Sequence, residues 1–118
     1  MKYRFLYAFL LVFAIPAIAF GHARVQSSVP AKNAVVKFSP SEVKITFSEA
    51  LRIKESYIKV FSGKKLISEA SPVLSPDQVT VSEELPELAP GKYTVQWKAV
   101  CLCNDHHATT GSYNFTVK

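Results

Sequence analysis

Methionine is almost missing from this 118-residue chain; the only one is Met1. No cluster of thioether ligands can therefore form in a folded domain. Cysteine is nearly as scarce, with Cys101 and Cys103 alone, so there is no framework of bridges of the kind that staples many small secreted domains. Gly63, Gly91 and Gly111 stand singly, which excludes a phosphate-cradling glycine loop. Charged residues make up 19% of the chain, and no Lys/Arg block is longer than Lys64-Lys65. The formal charge of +5 falls to +3 once Lys2 and Arg4 are set aside with the leader described next. That is a solvated surface and no footprint for nucleic acid. Helical periodicity of useful length is absent too, since Glu49 to Glu55 could make one turn at most, and there is neither internal repeat nor linker. With 48% apolar residues the chain is neither a disordered tail nor a fibre, and its length suits one domain.

What is present begins with an address. Lys2 and Arg4 precede an unbroken apolar run from Phe5 to Ile15, Pro16 interrupts it, and Ala19 and Gly21 supply small residues before His22. This layout predicts a secretory signal peptide over residues 1–21, cleaved to leave a domain over 22–118. The apolar stretch from Phe5 to Phe20, with its proline, is short of the roughly 20 residues a spanning helix needs. Cleavage at that point would free an α-amino group on a residue that also carries an imidazole, so His22 could chelate one ion through both. The alternative reading of His22 is a disordered first residue with no ligand role.

Downstream, short runs alternate in polarity every second residue: Val43, Ile45 and Phe47; Ile58 and Val60; Val79 and Val81; Tyr93, Val95, Trp97 and Ala99; Tyr113, Phe115 and Val117. On a strand such positions share one face, which is then buried. Ser39-Pro40-Ser41, Ser62-Gly63-Lys64, Ser71-Pro72, Ser75-Pro76-Asp77 and Ala89-Pro90-Gly91 separate the runs with turn chemistry. The prediction is an all-β fold, a Greek-key sandwich or barrel of about seven strands, immunoglobulin-like, with Trp97 in its core.

The residues able to do chemistry crowd into Cys101-Leu102-Cys103-Asn104-Asp105-His106-His107, directly after the longest run. Strand-end loops are where sandwiches carry sites. With the His22 amine, two imidazoles and a carboxylate form an N/O set suited to tetragonal Cu²⁺, whereas both thiolates with histidine would suit a structural zinc; spacing leaves that choice open. On an extended strand the two cysteines would lie about 6.6 Å apart, two rises of roughly 3.3 Å, so a bridge between them needs a bend. A Cys/His hydrolase lacks any accompanying oxyanion motif. Asn114-Phe115-Thr116 matches a glycosylation sequon but falls on a strand expected to be buried.

Several segments in order are similar to the CopC family of periplasmic copper-resistance proteins: Ser27-Ser28-Val29-Pro30-Ala31, Ile45-Thr46-Phe47-Ser48-Glu49, Pro90-Gly91-Lys92-Tyr93-Thr94-Val95-Gln96-Trp97-Lys98-Ala99-Val100 and Thr110-Gly111-Ser112-Tyr113-Asn114-Phe115-Thr116-Val117. The resemblance implies a periplasmic, monomeric β-sandwich that binds Cu²⁺ through the terminal histidine and an Asp-x-His pair, to sequester or deliver it. An inner-membrane copper transporter is the implied partner. The pair falls on Asp105 and His107, with Ala108 where the family carries proline, and with two extra residues around Cys101 to Asn104. His106 is the alternative loop ligand. Many members also bind Cu⁺ through methionines, a role Cys101 and Cys103 could take here with soft thiolates; ordinary thiols or an intermolecular bridge are the other readings of that pair. The rival functions are a copper oxidase of the lytic polysaccharide monooxygenase type, for which a domain this small offers little flat substrate surface, and a zinc or structural β-module.

Overall fold

A computed structural model describes residues 22–68, 70–103 and 107–118. The leader at 1–21 and two loop candidates, Asp105 and His106, lie outside the described residues. The alternating runs form strands as their polarity requires. In chain order these are β1 (Val25–Val29), β2 (Val35–Val36), β3 (Glu42–Phe47), β4 (Tyr57–Ser62), β5 (Lys65–Leu66), β6 (Val73–Leu74), β7 (Thr80–Glu84), β8 (Gly91–Val100) and β9 (Ala108–Val117), with a single 3₁₀ turn at Ile53–Glu55. They make two sheets, β1-β3-β7-β6 and β2-β9-β8-β4-β5. The sheets form a sandwich and do not close into a barrel. Among the described residues there are nine strands against the expected seven, because β2, β5 and β6 are two-residue pairings, too short for a period-2 pattern to reveal.

The core lies between the sheets. Val43, Ile45 and Phe47 of β3 face Tyr93, Val95, Trp97 and Ala99 of β8 and Tyr113, Phe115 and Val117 of β9. Trp97 sits edge-on to Phe47 with ring centres 5.3 Å apart, and Tyr93 stacks on Phe115. Each such side chain contributes about 1.5–3 kcal/mol by leaving water. The Tyr93 hydroxyl donates to the Ala89 carbonyl across the Pro90-Gly91 corner, the tyrosine-corner contact of immunoglobulin-like sandwiches. The phase of β7 is the one read in sequence, Val79, Val81, Glu83 and Leu85 falling on alternate positions, but its inner face includes a glutamate. Val81 and Glu83 point inward and Val79 is only half-buried, because β7 runs Thr80–Glu84 and Leu85 takes the next inward position.

The longest ladder pairs β8 with β9 over ten residues, from Gly91↔Val117 to Val100↔Ala108. Trp97 lies opposite Gly111 in that ladder. A Cβ at Gly111 would come within 2.5 Å of the Trp97 ring, so only glycine lets the indole lie flat against the neighbouring backbone. The connection between the two strands is the cysteine- and histidine-bearing segment. The fold thus delivers its described residues, Cys101, Leu102, Cys103 and His107, to one end of the sandwich.

Candidate metal centre

The first element of the centre is the stretch ahead of β1. Ala23 is 1% exposed and belongs to the core, which anchors the chain one residue after His22. Ser48 then fixes Arg24 from two directions: the Arg24 N–H donates to Ser48 Oγ at 2.9 Å, and the Ser48 N–H donates to the Arg24 carbonyl at 2.8 Å. The ladder continues with Val25↔Phe47. The Phe-Ser-Glu run singled out in sequence therefore has a local task, which is to seat the entry of the chain against the end of β3. His22 projects from this anchored stretch and is exposed.

The second element is the end of β8, which is tied to the segment following β3. Leu51 bridges to Cys101, the Leu102 N–H donates to the Ala50 carbonyl at 2.8 Å, and the Arg52 N–H donates to the Val100 carbonyl at 2.8 Å. Buried Ser56 links both sides, since its hydroxyl donates to the Arg52 carbonyl and accepts from the Val100 N–H. Arg52 reaches further with Nη2, which donates to the Cys103 carbonyl at 3.1 Å. Sequence reasoning missed Arg52 and Ser56, and the anchoring task of Ser48. None belongs to a ligand type in a cluster, and their importance depends on pairings between distant segments.

From opposite ends of the sequence, His22 and His107 meet. Their ring centres are 5.2 Å apart and the planes are tilted by 32°. A metal-to-imidazole nitrogen bond of about 2.0 Å puts each ring centre about 3.2 Å from the ion, so two rings on one ion have centres roughly 4.5–6.3 Å apart as the angle opens from 90° to 180°. The observed spacing falls inside that range. Both histidines are exposed, so an ion could reach them from solvent. Among the described residues no group of three or more His, Cys, Asp or Glu is placed to hold a metal; the described part of the centre is this imidazole pair.

The cysteines adopt the bent arrangement that a mutual bridge requires. Cys101 and Cys103 are disulfide-bonded to each other, with Cα atoms 5.2 Å apart, closer than an extended strand would leave them. The bend follows from the clamp just described, which holds Cys101 and Leu102 against Ala50 and Leu51 while Arg52 draws in the Cys103 carbonyl. Closing so small a ring constrains the unfolded chain by only about 1.6 kcal/mol, against about 4.7 kcal/mol for a loop of 100 residues. As a staple for the fold the bond is weak.

One ionisable group sits elsewhere. Glu83 is 1% exposed on the inner face of β7, with Oε1 buried and lacking a hydrogen-bond partner. Burial pushes its carboxyl up to about 7, a shift that the Ala70 N–H, donating to the carboxylate, partly opposes. It lines a surface depression with Tyr57, Ser68 and Pro72, away from the histidine pair in the sheet order.

Comparison with known proteins agrees with the architecture. The family model described as the CopC domain matches residues 25–118, beginning just after His22. Copper resistance protein C of Pseudomonas syringae pv. tomato is 30% identical over 94% of this chain and 95% of its own length. The crystal structure of CopC from Methylosinus trichosporium OB3b superposes with a TM-score of 0.75 at 29% identity, covering 82% of this chain and 94% of that one. PcoC, a methionine-rich copper resistance protein from Escherichia coli, superposes with a TM-score of 0.70 at 32% identity over 82% of this chain and 99% of that one. In sequence and in the arrangement of its two sheets, this chain belongs to the CopC family.

Proposed function

We propose that this protein binds one Cu²⁺ at the end of the sandwich, through the amine and ring of His22 and the ring of His107, with Asp105 completing the set. The observation that carries the reading is the approach of the two imidazoles to 5.2 Å. Cleavage after Gly21 would leave His22 as the first residue and add an amine nitrogen to the pair. Nitrogen donors with a carboxylate match the preference of Cu²⁺. Export to the periplasm, where the protein sequesters copper or passes it to an inner-membrane transporter, completes the proposal. The copper-resistance names of its relatives support it.

The test is a copper titration of the exported protein, after intact mass has fixed its first residue. His107→Ala, and separately a form with one extra residue ahead of His22, should each weaken Cu²⁺ binding by more than the 10–100-fold typical of losing a group that merely supports a ligand. Circular dichroism should be unchanged in both. Full affinity in the extended form would reject the amine as a ligand.

A further inference from the structure

We propose that the Cys101–Cys103 bond is a redox-gated site for cuprous copper. Closed, it presents a disulfide, which is a poor ligand. Opened, it presents two thiolates that bind one Cu⁺. The inference extends the copper reading to a second oxidation state and relies on it only for copper reaching this end of the sandwich, since its ligand atoms are different ones.

Three observations carry it. First, the backbone that brings the cysteines together is held by contacts other than the sulfur–sulfur bond. The Leu51–Cys101 bridge, the Leu102 N–H to Ala50 carbonyl bond and the Arg52 contact to the Cys103 carbonyl all act on the bend through the main chain and not through sulfur. After reduction the two sulfurs remain close neighbours, so the entropy of converging on one ion has already been spent in folding. Second, the bond contributes little as a staple, because a ring this small constrains the unfolded chain least; a structural purpose does not account for it. Third, thiolate is the ligand type that favours Cu⁺, and the chain offers no other soft set, Met1 being its only methionine. Cys101 is 1% exposed and Cys103 partly so, which leaves one sulfur open to attack and the other sheltered from solvent.

The chemistry balances with a dithiol reductant. A thiolate of the reductant attacks the sulfur of Cys103, the sulfur–sulfur bond breaks, and the second reductant thiol resolves the mixed disulfide. The products are the Cys101 and Cys103 thiols and one oxidised reductant. Binding Cu⁺ then releases two protons, leaving a bis-thiolate site of net charge −1.

The experiment compares three anaerobic, desalted samples of the domain beginning at His22: oxidised wild type, wild type reduced with a dithiol, and reduced Cys101→Ser/Cys103→Ser. Each is titrated with Cu⁺ against a chromophoric Cu⁺ chelator, and alkylation followed by intact mass counts the thiols. Reduced wild type should capture one equivalent of Cu⁺, gain a thiolate-to-copper band in the near ultraviolet, and bind more tightly than the other two by about 100-fold or more, two lost metal bonds outweighing the 10–100-fold of a lost supporting group. Equal Cu⁺ affinity in oxidised and reduced wild type would overturn the proposal, and that comparison involves no substitution that could disturb folding. Parallel Cu²⁺ titration of the oxidised protein separates the two readings. Thiol-dependent Cu⁺ capture without Cu²⁺ binding would reject the histidine centre and leave the gate standing, and the reverse would do the opposite.

Discussion

The shaft and the tip of the β8–β9 hairpin are built on opposite principles. Along the shaft, ten consecutive pairs are in register, and Tyr93, Val95, Trp97, Tyr113 and Phe115 are buried in the core. At the tip His107 is exposed and Cys103 half-exposed while Cys101 is buried, and the backbone is held by a few bonds to the segment after β3. The shaft uses apolar area, which is non-directional and large in sum. The tip uses individual polar contacts, each worth about 1 kcal/mol net. Stability and metal binding should accordingly separate under mutation, and the sharpest tests of the comparison are substitutions that ought to affect one and spare the other.

The largest loss of stability is expected in the shaft. Phe115→Ala removes a ring that is 1% exposed and should cost about 3–5 kcal/mol in urea unfolding. The molecules that remain folded should still bind copper. Gly111→Ala comes next, because its methyl would meet the Trp97 ring; overpacking of this kind costs about 1–3 kcal/mol, and a shift in tryptophan emission should report the displaced indole. If Gly111→Ala also weakened copper binding strongly, shaft and tip would be coupled after all.

Glu83 gives a pH-dependent test within the core. Its folded-state value of about 7 lies above the ordinary 4.5, so the native state holds a proton that the unfolded state has lost between those limits. Stability should fall as pH rises from about 4.5 to 7 and level off above, by on the order of 1–2 kcal/mol after allowance for solvent reaching the depression. Glu83→Gln should flatten that slope in urea midpoints measured across the interval. The smallest effect belongs to the tip. His107→Ala should change unfolding free energy by less than about 0.5 kcal/mol, whatever it does to copper.

Much of this division was legible in the sequence. Alternation in β3, β8 and β9 reported the buried faces because each run spans several periods, and the turn residues marked where the runs stop. The inward face of β7 was read at Val81 but not as far as Glu83, since a glutamate on a core face contradicts the polarity rule on which the reading depends. The short strands β2, β5 and β6 left no signal, being pairings defined by their partners. The candidate ligands stood out as a concentration of rare residue types, of which Asp105 and His106 lie outside the described residues. The encounter of His22 with His107 was beyond spacing alone, because it depends on Ser48 seating Arg24 and on the β8–β9 register. Resemblance to a family supplied that link before geometry did. The bend at Leu102 was likewise hidden, for it is imposed by Ala50, Leu51 and Arg52 from half the chain away.

The flush seat of the indole on Gly111 has a practical corollary. Trp97 is the sole tryptophan, wedged between Phe47, whose neighbour Ser48 anchors the entry of the chain, and a glycine four residues beyond His107. Segments leading to both histidines thus pack against one fluorophore. If copper binds at the histidine pair as proposed, the paramagnetic ion should dim the Trp97 emission, an optical gauge of occupancy that needs no attached label.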